Sequence, residues 1–461
     1  MRKLLISSAI VLLGVAMGAR QPSPPTTVAF TNVSVIPMDR EHVIDNWTVV
    51  VRDGKVAMLG ADVPVPAGAL RVDGSGKYLI PALAEMHAHV PPGANVPDAA
   101  IERTLFMYAA NGIGTIRGML GHERHLGFRA RAASGEIFSP ILYTSGPSLN
   151  GNTAPTPEAA VKLVTEEKQA GYDFLKIHPG LSLETFNAMA ATADKLGIRF
   201  AGHVPSAVGL HRALEARQLT IDHLDGYVEA LAGKDAPSSE WFGVNLVDRV
   251  DEKKIPELVA ATKKAGTWMV PTETLLEQTV GDEPAESLAR RPEMKYATAA
   301  QIKSWSENKA KFLQLPSAQR QRFIALRRRL IHALFSAGVP IALGSDAPQI
   351  WNVPGFSAHR ELELMVASGL TPYQALETGT TNVARFFGTS DRTGRIAVGR
   401  RADLVLIDGN PLTDITNTRR ISGVMLGGRW MPKEEIQRRL DSGGVRSGMG
   451  NWGQTPFLRK T

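Results

Sequence analysis

Pro81-Ala-Leu-Ala-Glu85-Met-His87-Ala-His89, followed at once by Val90-Pro91-Pro92-Gly93, is the stretch whose reading decides the fold. The lead-in Gly76-Lys-Tyr-Leu-Ile80 supplies a turn and an apolar approach, and Pro91-Pro92 stops the strand just past the histidines. Successive side chains on a β-strand point to opposite faces, so His87 and His89 leave the same face at the carboxyl end. Two imidazoles so placed can share a metal ion. A lone His-x-His suits surface or hydrogen-bonded core histidines equally well, so its meaning depends on the rest of the chain.

Downstream, seven more runs read as strands: 114–119, 141–145, 173–178, 199–203, 219–223, 267–272 and 340–346. Helical stretches separate most of them. Several end on Gly112, Gly171, Gly197, Gly266 or Gly338, where a helix C-cap favours left-handed backbone. Thr371-Pro372-Tyr-Gln374 combines a first-turn proline with capping-box spacing. Eight successive β/α units predict a (β/α)8 TIM-type barrel over residues 80–389. Chemistry in such a barrel gathers at the carboxyl ends of the strands. His87 and His89 end the first strand, Lys176 lies late in the fourth, His203 ends the fifth, His223 the sixth and Asp346 the eighth. Each alone has an ordinary structural reading, but their common placement at one end is hard to assign to accident.

Outside the barrel the pattern changes to short β-runs. Val28 to Pro37, Trp47 to Arg52 and Lys55 to Leu59 lie near one end, with Asp53-Gly54 as a hairpin turn. Gly394 to Asp403, Leu404 to Asp408 and Ile421 to Leu426, closed by Gly427-Gly428, lie near the other. Neither set can bury a core alone. Residues 27–79 and 390–432 are therefore expected to pair into one small β-sandwich domain. A short helix and a flexible basic tail are expected over 433–461.

Met1-Arg-Lys3, an apolar run from Leu4 to Val15 and the small residues up to Ala19 predict a signal peptide over 1–19, hence an exported chain, periplasmic or secreted. No stretch reaches the roughly 20 apolar residues of a membrane span. The chain has no cysteine, which removes thiolate ligands and disulfides and leaves His, Asp, Glu or modified Lys for any metal. The net charge of +7 is spread among acidic residues, a weak signal for nucleic acid, and no nucleic-acid partner is expected.

The set His87-x-His89, Lys176, His203, His223 and Asp346 resembles the amidohydrolase superfamily. It is joined by the phrases Asn111-Gly-Ile-Gly-Thr, Gly202-His203-Val, Gly344-Ser-Asp346 and Gly399-Arg-Arg-Ala-Asp403-Leu. Within it, the chain looks like the imidazolonepropionase-related branch that includes metal-dependent dipeptidases. The resemblance implies two divalent metals bridged by a carboxylated Lys176. One would be held by His87, His89 and Asp346, and the other by His203 and His223. A lysine in a crowded cationic site loses its proton more easily, and the neutral amine can take up carbon dioxide to give an anionic bridge. Zinc suits these ligands best, with manganese and cobalt as alternatives.

Between two such metals a bridging water loses its proton near neutral pH and one metal polarises the scissile carbonyl. Asp346 is then the expected proton shuttle to the departing amine. The expected reaction is hydrolysis of an amide bond in a small peptide or N-acyl amino acid. The alternatives are a mononuclear cyclic-amide hydrolase and a non-catalytic secreted solute-binding protein. Homo-oligomerisation is left open. His178 shares Lys176's strand face and is expected to meet substrate or support a ligand. Arg117, Tyr143 and Tyr227 are candidates for a substrate carboxylate or aromatic group, with packing as an equal alternative. The excursion from Glu273 to Ser317 is expected either as a lid or as a solvated insert.

Overall fold

A computed structural model describes residues 27–442; the expected leader and the tail beyond Ser442 lie outside the described residues. Two bodies of sheet organise the chain. The first is mixed and eight-stranded, in the order Arg429–Pro432, Ile421–Leu426, Leu404–Asp408, Lys77–Pro81, Val28–Val35, Ile44–Arg52 and Lys55–Gly60, with Leu70–Asp73 also paired to Val28–Val35. Its two halves, from opposite ends of the chain, meet where Leu404–Asp408 runs antiparallel to Lys77–Pro81, with Leu406 opposite Leu79.

This sheet is continuous across both halves, joining the two ends of the chain as expected of the companion β-domain. Its outer strand Lys55–Gly60 turns back onto residues 399–402, with Val56 N donating to Arg400 O and Ala402 N to Gly54 O. The curl encloses a core that includes Phe30, Val49, Leu79, Leu404 and Met425. Asp53-Gly54 does form the hairpin turn, both residues at positive φ (51° and 74°). Residues 394–403, expected as a strand, are irregular apart from a single bridge at Arg401, and the unexpected strand Arg429–Pro432 follows the Gly427-Gly428 turn.

The second body is parallel. Leu83–Ala88, Ile113–Gly118 and Ile141–Thr144 form one sheet, and Leu175–Ile177, Phe200–Gly202, Thr220–Asp222 and Trp268–Val270 form another. Single parallel bridges, Ser145 with Phe174 and Met269 with Ile341, continue the pairing. The eighth run, 340–346, is extended without forming a regular strand. It bonds on both sides all the same: Ala342 N donates to Met269 O, Met86 N to Leu343 O and Asp346 N to His87 O. The histidine strand passes from one body to the other at Ala82, whose N–H donates to Asp403 O, while Leu83 N already donates to Gly112 O. The helix-ending glycines read from sequence all carry positive φ, from 65° to 82°. No helix among the described residues is long and apolar enough to cross a membrane.

The 273–317 excursion folds into the helices Glu273–Val280, Ala285–Ala289 and Ala299–Phe312. Lys309, fully buried, ties the third to the first by donating to the carbonyls of Gln278 (2.7 Å) and Gly281 (2.5 Å). It thereby satisfies acceptors at a helix C-terminus. Lys309→Met should leave those carbonyls unmet and cost about 1–3 kcal/mol locally. Faster amide hydrogen exchange confined to 273–312 is the expected readout; unchanged protection there would contradict this role.

His359 provides a pH test of stability. Burial pushes its pKa down to about 4, and its Nε2–H donates to Asn111 O at 3.0 Å. An unfolded histidine titrates near 6.5, so the unfolded chain gains a proton first as pH falls. The site's stability is whole above about pH 6.5 and is lost on descent to about 4, by about 3 kcal/mol. His359→Gln should flatten the fall in unfolding free energy over that window, and an unchanged slope would contradict the assignment.

Candidate metal centre

The first and eighth runs are bound together by Glu85, which shares the inward face of its strand with the histidines. Its carboxylate accepts from Ser345 N (2.7 Å), Ser345 Oγ (2.6 Å) and His87 N (3.1 Å), and burial raises its pKa to about 8. Tyr108 donates to the Ala347 carbonyl just beyond Asp346. Close backbone approach explains two glycines in the motif phrases. A Cβ on Gly344 would come within 2.9 Å of His87 N, and one on Gly202, at φ 118°, within 2.6 Å of Ile177 O. His223, Thr272 and Asp346 adopt positive φ (63°, 54° and 62°). Such strain persists only where the surroundings impose it.

His87, His89 and Asp346 form a buried metal-binding group, each offering one ligand atom, all within 4.8 Å of one another. His89 Nε2 lies 2.6 Å from Asp346 Oδ1, and His87 Nε2 lies 3.5 Å from the same oxygen. The remaining expected residues extend this group. Lys176 Nζ is 3.4 Å from His87 Nε2. The ring centroids of His87 and His223, and of His223 and His203, are 4.6 Å apart, and His178 stands 5.0 Å from His203. All six residues expected as ligands therefore converge.

Two of the rings are anchored by a hydrogen bond at Nδ1, and a third lies against a carboxylate. His203 Nδ1 is 2.6 Å from Asp225 Oδ2 and His223 Nδ1 is 2.7 Å from Thr272 Oγ1. His87 Nδ1 lies 2.9 Å from Asp222 Oδ2 without the alignment of a hydrogen bond. A ring held through one nitrogen presents the other to a cation, and such outer partners orient metal-binding histidines. His223 Nε2 is buried with no protein partner. Burial holds His87, His178 and His223 well below the usual imidazole pKa, and lowers Lys176 to about 8. Neutral imidazoles, a carboxylate and a readily deprotonated amine fit a divalent cation.

His178 lines the cavity over this group. Arg117, Tyr143 and Tyr227 are not among its lining residues. Arg117 is wholly buried beneath the site, donating to Met86 O (2.6 Å), Thr220 Oγ1 (3.1 Å) and Asp222. Tyr143 stacks on Phe387 at 3.7 Å in a separate cavity between the parallel strands' amino ends and the mixed sheet. Tyr227 is buried with its hydroxyl 2.5 Å from Thr262 Oγ1. Sequence reading missed the supports Glu85, Asp222, Asp225 and Thr272. Glu85 is signalled by its i, i+2 spacing to His87, and Asp222 and Asp225 by their nearness to His223. It also missed the cavity walls Trp241, Phe242, Leu275, Asn308, Gln349 and Ile350. Leu275 and Asn308 come from the 273–317 excursion, which therefore contributes two side chains to the cavity wall.

Comparison with known proteins bears on the same residues. The family model described as "Amidohydrolase family" matches residues 78–431. Imidazolonepropionase of Shewanella sp. (strain MR-4) is 28% identical over 389 residues, covering 79% of this chain and 87% of that protein. That of Shewanella baltica (strain OS185) has the same identity and coverage. Among solved structures, a Xaa-Pro dipeptidase with bound methionine superposes with a TM-score of 0.64 at 17% identity, covering 88% of this chain and 100% of that one. A putative prolidase from Bifidobacterium longum gives 0.65 at 22%, covering 91% and 99%. A bottromycin amidohydrolase gives 0.67 at 23%, covering 93% and 92%. At these identities the structural likeness speaks to the fold alone.

Proposed function

The chain belongs to the amidohydrolase family, and from that premise we propose a metal-dependent hydrolase that cleaves the amide bond of a small peptide or N-acyl compound. The observation that carries this reading is the convergence of His87, His89, His203, His223, Lys176 and Asp346, with His203 and His223 hydrogen-bonded at Nδ1 and His87 Nδ1 lying against Asp222. In this proposal the parallel strands close as a (β/α)8 barrel, and residues 27–79 and 390–432 make the companion domain. Residues 1–19 direct export to the periplasm or medium.

His87, His89 and Asp346 would hold one divalent ion and His203 and His223 a second, with carboxylated Lys176 between them; zinc suits the donors. When bound, these ions would activate water and polarise the scissile carbonyl. The protein's own part is positioning and proton movement. Asp225 and Thr272 fix two rings through Nδ1, and Asp222 lies against a third. Asp346 Oδ1 faces His89, leaving Oδ2, 3.9 Å from His223 Nδ1, to take the attacking water's proton and deliver it to the leaving nitrogen. An amine departs poorly unless protonated, so the second transfer is the one an amide requires.

Turnover of an amide panel, before and after chelation and again after zinc is restored, tests the reading. Activity should vanish and return; hydrolysis that survives complete metal removal would contradict it. One observation favours the mononuclear cyclic-amide alternative: among the described residues, His87, His89 and Asp346 by themselves meet ligand spacing. Metal stoichiometry separates the two.

A further inference from the structure

The cavity above the histidines is small, about 50 Å3, and apart from the histidines and Asp346 its walls are Trp241, Phe242, Leu275, Asn308, Gln349 and Ile350. None of these six side chains carries a charge. Of the cations near the site, Lys176 stands among the expected ligands beside His87, Arg117 is committed to Asp222 below the site, and Lys309 to the Gln278 and Gly281 carbonyls.

Two of the six contain a buried polar atom with no protein partner, Trp241 Nε1 and Asn308 Oδ1. Leaving such atoms unmet costs about 1–3 kcal/mol each, a cost recovered when a ligand meets them. The indole offers a donor and the carboxamide both a donor and an acceptor, all neutral.

The backbone around Trp241 is built for this placement. Trp241 and Phe242 take φ 39° and 57° ahead of Gly243 at 85°, a left-handed run costly for bulky residues. Asn245 braces the turn by accepting from Glu240 N (2.8 Å) and donating to Ser238 O (2.9 Å). The turn sets the Phe242 ring 5.3 Å from His223, and the Trp241 ring 5.2 Å from Phe242 and 5.1 Å from Phe312, at the end of helix Ala299–Phe312. A carboxylate brought against these walls would lose water and find no cation among them.

We propose that the mouth selects an uncharged amide, with no carboxylate flanking the scissile bond, whose polar atoms meet the Trp241 indole N–H and the Asn308 carboxamide. This rests on the amide-hydrolase reading and narrows it to end-blocked peptides and neutral acyl amides.

The test uses zinc-loaded full-length protein and two probes of matched size, butyryl-4-nitroanilide and succinyl-4-nitroanilide. Calorimetry gives binding, and release of 4-nitroaniline gives turnover. The butyryl amide should bind at least about tenfold more tightly than the succinyl one. Trp241→Phe, which keeps the ring and loses the N–H, should weaken its binding about fivefold without changing metal content. Gln349→Arg should narrow the gap between the probes. Equal or tighter binding of the succinyl amide, binding of neither, or an unaffected Trp241→Phe protein would overturn the proposal. Selective binding without 4-nitroaniline release would uphold it while sinking the hydrolase reading.

Discussion

Asp346→Asn should lower kcat about 1,000-fold, the scale expected when a positioned acid-base group is removed, while retaining much of the bound metal. Asparagine keeps an oxygen in the place of Oδ1, 2.6 Å from His89 Nε2, but cannot accept and release a proton at neutral pH. The two readouts are kcat on a hydrolysed amide and metal per chain. Loss of turnover with metal retained identifies proton transfer as the missing function. Full activity would remove Asp346 from the mechanism, and loss of metal together with activity would reduce it to a ligand.

The largest loss of stability should come from Arg117→Leu, about 3–5 kcal/mol, because removing one partner leaves a buried charge uncompensated. Asp222 is wholly buried and receives both oxygens' contacts from Arg117 at 3.3 Å, together with Thr220 Oγ1 at 2.6 Å. The nearby guanidinium and Lys176 hold its pKa below the usual carboxylate range against the opposing effect of burial. Denaturant unfolding of metal-free protein measures the loss, and Arg117→Leu combined with Asp222→Asn should recover part of it. A loss under about 1 kcal/mol would show that the pair is not the strut this geometry implies. Since Asp222 also lies against His87, the double variant should still bind metal less well than the wild type.

Arg117 also shows where sequence reading stops. Strand periodicity gives the face a residue occupies but not its height inside a ring of strands. Arg117 and Tyr143 are register partners on neighbouring strands, yet one braces the site from beneath and the other stacks on Phe387 near the strands' amino ends. His87, His89, His203, His223 and Asp346 were legible because each stands at or just past the end of a strand or extended run, where height is fixed by the end itself. Trp241, Phe242 and Asn308 were not, because a left-handed turn and a helical excursion carry them over the site, and no short-range pattern sets that path. The curled sheet was half legible: the Asp53-Gly54 hairpin is local chemistry, whereas the return of Lys55–Gly60 onto 399–402 depends on contacts some 340 residues apart.

The most direct test of the account is the amount of metal bound per chain, measured on protein purified without chelator, with zinc and bicarbonate supplied. About two equivalents are expected, falling toward one when His203 and His223 are replaced together by alanine. One equivalent in the wild-type protein, unchanged by that replacement, would contradict the two-metal site and leave His87, His89 and Asp346 as a mononuclear centre.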